Sequence, residues 1–185
     1  MGEVKEHPPV LLFAAITFTT RVDLKEVYAQ LENQFGAIER QSPVFDFDAF
    51  TDYYEPEMGS GLEKVLVTFT SLIPADRLPE IKLTTNRIEQ NISQSKKRII
   101  NIDPGYLNNS KVVLATTKDY SHRIYLGKGI FGDLHLTFRN KSFQVQPWTY
   151  PDYRQASVIE FFNEVRKLYR KKLEQYYSHT LEKSG

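Results

Sequence analysis

The sequence contains no cysteine, which excludes disulfides, thiolate catalysis and cysteine-based zinc or iron–sulfur sites. Neither charge is in surplus: 24 Lys and Arg stand against 23 Asp and Glu. No global field therefore draws the chain to nucleic acid or to an anionic membrane surface. No run approaches the roughly 18 apolar residues of a membrane span. The apolar stretch 10–16 follows Glu3, Lys5, Glu6 and two prolines and shows no cleavage-site pattern, so it does not read as a signal peptide. These absences describe a cytoplasmic protein, in keeping with a reducing compartment. What is present suits one domain over residues 1–185: a 41% hydrophobic fraction, 25% charged residues, and enough chain to bury a core.

Residues 10–18 are almost continuously apolar and read as a buried central strand. Asp23 then caps a helix, with Glu26 at capping-box spacing and Leu24, Val27, Leu31 and Phe35 at helical intervals before Gly36. Strands are predicted over 42–47, 64–72 and 98–102, with a polar, aromatic loop over 51–61 and a second helix over 79–94. Over 10–102 the order is strand–helix–strand–strand–helix–strand, the pattern of a ferredoxin-like βαββαβ core. Beyond Asp103 the rhythm shortens. Strands at 111–117, 122–126, 130–139 and 142–146, separated by tight turns, predict an antiparallel β-meander within 103–153. A capping box at Ser157 and Glu160 opens a long C-terminal helix over 157–180, with Val158, Phe162, Val165 and Tyr169 on its apolar face. The expected class is α+β: the core, then the meander, then the helix.

Register sharpens the meander. With Gly127-Lys128-Gly129 as the turn, Leu126 pairs with Ile130 and Arg123 falls opposite Asp133. Alternation then sends Ile124, Leu126, Leu134, Leu136 and Phe138 to the core. Arg123, Tyr125, Phe131, Asp133, His135, Thr137 and Arg139 point the other way. That second face reads either as a solvated surface with a cross-strand Arg123–Asp133 pair or as a polar floor for an anionic ligand.

Several chemistries fail on spacing. Gly127-Lys128-Gly129 sits between strands, with no hydroxyl after the lysine and no helix to follow, so it is no phosphate-binding P-loop. His135-Leu136-Thr137 supplies one His-x-Thr motif where a two-histidine phosphoesterase needs two. No Gly-x-Ser-x-Gly elbow occurs. Asp46, Asp48 and Asp52 with His122 or His135 offer oxygen and imidazole ligands, but Asp46 and Asp48 alternate with Phe45, Phe47 and Phe50 as a strand's solvent face does, so no metal site is assigned. Asp103-Pro104-Gly105-Tyr106 reads as a tight turn ending a strand, of the type II kind that Pro-Gly favours. The aromatic block 148–153 reads as packing between the meander and the last helix.

Four blocks, at 103–107, 114–119, 122–127 and 148–153, together resemble a small uncharacterised prokaryotic family known as domain of unknown function 4416. The resemblance covers nearly the whole chain and brings no catalytic residues with it. From the residues themselves the leading expectation is a site for a small anionic ligand, a nucleotide or a phosphorylated metabolite. Candidate ligand-binding residues are Asp103, Tyr106, Thr116, Thr117, Lys118, Asp119, His122, Arg123, Tyr125, Lys128, Asp152 and Tyr153. The alternatives are a hydrolase or transferase using Asp103, Asp119 or Asp152 with His122 or His135, and a non-catalytic protein-interaction module. Neither membrane nor nucleic acid is an expected partner. Spacing fixes no catalytic residue, cofactor or oligomeric state.

Overall fold

The structure, a computed structural model, describes residues 2–93 and 98–182, with side chains to residue 178. In chain order the elements are β1 (Val10–Phe18), α1 (Leu24–Phe35), β2 (Ile38–Gln41), β3 (Phe45–Asp46), α2 (Glu55–Met58) and β4 (Glu63–Ile73). There follow α3 (Leu78–Ile92), β5 (Ile100–Leu107), β6 (Lys111–Thr116), β7 (Arg123–Gly127), β8 (Ile130–Arg139), β9 (Ser142–Val145) and α4 (Ala156–Glu182). The fold is α+β. Among the described residues nine strands make one sheet, ordered β2-β4-β1-β5-β6-β8-β7, with β3 on β4 and β9 on β8. The meander thus extends the first sheet rather than forming another.

β1 is buried at every position because helices cover both faces of the sheet. Leu12, Ala14 and Ile16 pack with Val27, Leu31, Ile81 and Ile88 of α1 and α3. Leu11, Phe13 and Ala15 pack with Phe162, Val165 and Tyr169 of α4. The expected cap of α1 is present: Asp23 accepts from the Lys25 N–H at 2.9 Å, and Gly36 (φ 88°) closes the helix by donating to the Glu32 carbonyl. No described helix is long and apolar enough to cross a membrane.

Several boundaries move for physical reasons. Of the strand expected at 42–47 only β3, Phe45–Asp46, is present, and the strand before it, β2, ends at Gln41 where none was expected. Ser42 exchanges bonds with Leu66 through its N–H and hydroxyl, but Pro43 has no N–H to offer, and pairing resumes only at Phe45. The second helix ends at Ile92; Gln94 lies outside the described residues. α4 begins at Ala156, so Ser157 lies in its first turn rather than at its cap. Residues 103–106 form no turn: they are the middle of β5, where Asp103, Pro104 and Gly105 pair with Ala15, Ala14 and Phe13 of β1.

The β7–β8 hairpin closes through two residues, Lys128 (φ 54°) and Gly129 (φ 74°), the signs of a type I′ turn. Gly127, not Leu126, pairs with Ile130. A bulge between Tyr125 and Gly127 absorbs the difference, so Arg123 still faces Asp133 as expected. On β8 Leu136 is buried as expected, with Leu134 and Phe138 packed against the core, but the expected faces fail on β7. Ile124 is 72% exposed and Leu126 40%, whereas Arg123, Asp133 and His135 are buried. The sheet edge leaves the apolar residues uncovered, while Tyr150 and Tyr153 cover the polar ones.

Candidate functional site

The cleft arises from a parting of strands. β5 pairs with β1 along its whole length, but with β6 only over Gly105, Tyr106 and Leu107. Upstream of Pro104 the two strands separate, with Asn101 and Asp103 on one side and Ala115 and Thr116 on the other. Side chains of α3, the loop 47–62 and residues 150–152 close the space into a cleft of about 710 Å³. Asp48 clasps the base of that loop by accepting from the Gly61 and Leu62 N–H groups at 2.6 and 3.2 Å.

Charged groups form the floor. Lys64 donates to Asp152 at 2.6 Å, both almost wholly buried, and its ammonium lies 5.0 Å from the Phe47 and Tyr153 ring centroids. From α3, Lys82 reaches the Ile102 carbonyl at 3.0 Å and the Asp103 carboxylate at 2.9 Å. Burial alone raises the pKa of Asp103, but the Lys82 charge and hydrogen bond, with Lys64 and Asn101, outweigh it and hold the carboxyl below its ordinary value. Glu89 differs. Burial raises its pKa despite Lys82, Arg98 and the Ile102 N–H, which donates to it at 2.7 Å. Arg98 bridges Glu89, Glu57 and Asn101 and covers the Tyr54 ring.

Beside the floor lies a buried network. Arg123 donates through Nε to Asp133 (2.9 Å), through Nη1 to the Lys118 carbonyl (3.1 Å) and through Nη2 to the Tyr150 hydroxyl (2.7 Å). The Tyr150 N–H donates to His135 Nε2 at 3.1 Å. That nitrogen must be unprotonated, so Nδ1 carries the hydrogen and donates to Asp133 Oδ1 at 3.3 Å. Burial lowers the His135 pKa against the pull of Asp133. The unfolded chain takes up a proton near the ordinary value of 6.5 while the folded one does not. Stability is therefore lost as pH falls below that value, by up to about 1.4 kcal/mol per pH unit. Glu89, with its raised pKa, acts in the opposite sense, so the comparison is with a variant. Urea melts at pH 7.5 and 5.5 are expected to show a smaller acid loss in His135→Gln than in the parent.

The family model described as "Domain of unknown function (DUF4416)" matches residues 8–169. The chain belongs to the DUF4416 family. No curated protein and no solved structure matches it. Every residue lining the cleft lies inside the DUF4416 match.

Of the sequence candidates in this DUF4416 chain, Asp103, Thr116, Thr117, Lys118, Arg123 and Asp152 line the cleft. The other six do not. Tyr106 packs against the α3 side of the sheet. Asp119 is exposed. Tyr125 is 60% exposed at the edge strand. Lys128 pairs with Glu80 at 2.5 Å, both about half exposed. His122 stacks on Trp148 and reaches Asp133, and Tyr153 lies beneath α4. Arg123 and His122, neighbours that strand alternation would send to opposite faces, both meet Asp133, because His122 precedes the regular strand.

Sequence reasoning missed Lys64, Lys82, Glu89, Tyr54, Arg98 and Tyr150. Lys82 and Glu89 had a signal: each follows an isoleucine of the α3 stripe, Ile81 or Ile88, and so borders the buried face. Lys64 sits two residues from Leu66 on a strand buried on both faces, an inward position for a charge. Two buried hydroxyls near this floor, Thr17 Oγ1 and Tyr153 Oη, make no hydrogen bond among the described residues.

Proposed function

We propose that this chain is a cytoplasmic, single-domain protein that binds a small organic anion, a nucleotide or phosphorylated metabolite, in the cleft. The observation behind this reading is Lys118. Its ammonium lines the cleft 4.3 Å from the Tyr53 ring centroid and makes no ion pair among the described residues. The other four lining cations among the described residues, Lys64, Lys82, Arg98 and Arg123, each have a carboxylate. Partial burial, then the Arg123 charge, lowers the Lys118 pKa, as for a cation short of a counterion.

Other donors line the same cleft. Tyr150 accepts from Arg123, and burial pushes its pKa up to about 12, so its own proton stays in place as a free donor. The Thr117 hydroxyl makes no hydrogen bond among the described residues. Arg123 has one Nη2 hydrogen beyond those it uses. A cation that shares a cleft with unused donors suits an oxyanion. The acid–base alternative is weakened by the same geometry: Asp103 and Asp152 are tied to lysines, and neither His122 nor His135 lines the cleft. The strand order β2-β4-β1-β5, with α1 and α3 on one face, supports the ferredoxin-like reading of the first half.

A thermal-shift series with nucleotides, sugar phosphates and inorganic phosphate tests the proposal. At about 100 times its dissociation constant, a ligand adds roughly 2.7 kcal/mol. Lys118→Ala is expected to abolish that shift while changing apo stability by no more than about 0.5 kcal/mol, as a surface substitution does. Stabilisation that survives Lys118→Ala would place the anion elsewhere.

A further inference from the structure

The α3 wall of the cleft has a different chemistry. Asn86 and Gln90 lie four residues apart on α3, hence on one face of the helix, and both line the cleft. Neither carboxamide makes a hydrogen bond among the described residues, unlike Asn101, which is engaged by Arg98 and Asp103. A free carboxamide offers a donor and an acceptor side by side, the arrangement that pairs with the edge of a nucleobase. Tyr53 and Tyr54, in edge contact at 4.9 Å, line the same cleft: Tyr53 meets Lys118, and Tyr54 meets Arg98 beside Glu89. The cleft of about 710 Å³ falls within the range that encloses small organic ligands.

Charge limits the phosphate. Among the described residues one lining cation is unpaired, so one phosphoryl group finds a partner there, and each further phosphate would add negative charge beside Asp103, Glu89 and Glu57 with no described lining cation free to meet it. Resting on the anion-binding reading above, we infer that the ligand is a nucleoside monophosphate. Its phosphate meets Lys118, Thr117 and Tyr150, and its base edge meets Asn86 and Gln90.

Titration calorimetry of the full chain with AMP, GMP, CMP, UMP, ATP, ribose 5-phosphate and inorganic phosphate separates the two levels. At least one monophosphate is expected to bind roughly tenfold or more tighter than both ribose 5-phosphate and ATP. The double variant Asn86→Ala/Gln90→Ala is expected to erase the advantage over ribose 5-phosphate while leaving ribose 5-phosphate binding unchanged. Lys118→Ala is expected to weaken both. Equal affinity for monophosphates and ribose 5-phosphate would overturn the base subsite and leave the anion site standing. ATP binding tighter than every monophosphate would overturn the single-phosphate argument. Absence of binding by every anion tested would overturn the inference together with the proposed function.

Discussion

Asp133→Ala is expected to destabilise the chain by about 3–5 kcal/mol, enough to unfold a marginal protein at ordinary temperature. The Arg123 and Asp133 side chains are each only 1% exposed. Removing the carboxylate leaves a guanidinium that cannot lose its charge in the interior, together with a His135 Nδ1–H deprived of its acceptor. Denaturant unfolding gives the loss directly. A second substitution supplies the control. Arg123→Met in the Asp133→Ala background removes the stranded charge and is expected to recover part of the stability, so the two losses fall short of adding. Arg123→Ala alone is likewise expected to lower the apo melting temperature, and is therefore a poor probe of ligand contact. Lys118→Ala removes a cation with no ion partner among the described residues and is the clean one.

Gly105→Ala is the second large effect. A methyl at this position would lie 2.4 Å from Phe13 Cζ and 2.5 Å from the Val113 carbonyl oxygen. Phe13 is fully buried and held edge-on by Phe162, and the carbonyl belongs to the neighbouring strand, so neither can give way without moving the sheet. Overpacking of this kind costs typically about 1–3 kcal/mol, and a backbone obstacle puts this case at the top of that range. Because β5 and β6 part directly upstream of Gly105, the strain is expected to reach the cleft. A thermal melt showing less than about 1 kcal/mol of loss would mean that the two strands are not packed this closely.

The contrast between residues 10–41 and 98–127 shows what the sequence makes legible. β1 and α1 carry local signals, an unbroken apolar run and a capped 3.6-residue period, and both lie where those signals place them. Pro104-Gly105 carries a local signal that misleads. Its composition favours a turn, while the reason for Gly105 is a phenylalanine 92 positions earlier in the chain. The face of β7 failed for a related reason. Alternation marks Ile124 and Leu126 as inward, but at a sheet edge burial depends on what covers each face, and here Tyr150 and Tyr153 cover the polar one. Half of the candidate site was visible because Asp103, Thr116, Thr117, Lys118, Arg123 and Asp152 all fall within the stretch 103–153. Lys64, Lys82 and Glu89 come from distant strands and a helix, and only the strand order β4-β1-β5 brings them together.

The central claim, that Lys118 is an anion-receiving cation in this cleft, is tested most directly at its own nitrogen. Reductive methylation with carbon-13 gives each lysine a dimethylamine signal, and Lys118→Arg identifies the one that belongs to Lys118. The expected result is a Lys118 signal that titrates below the ordinary lysine value and moves, with its pKa rising, when inorganic phosphate or AMP is added. A Lys118 signal that titrates as an ordinary exposed lysine and stays still through both additions would contradict the account.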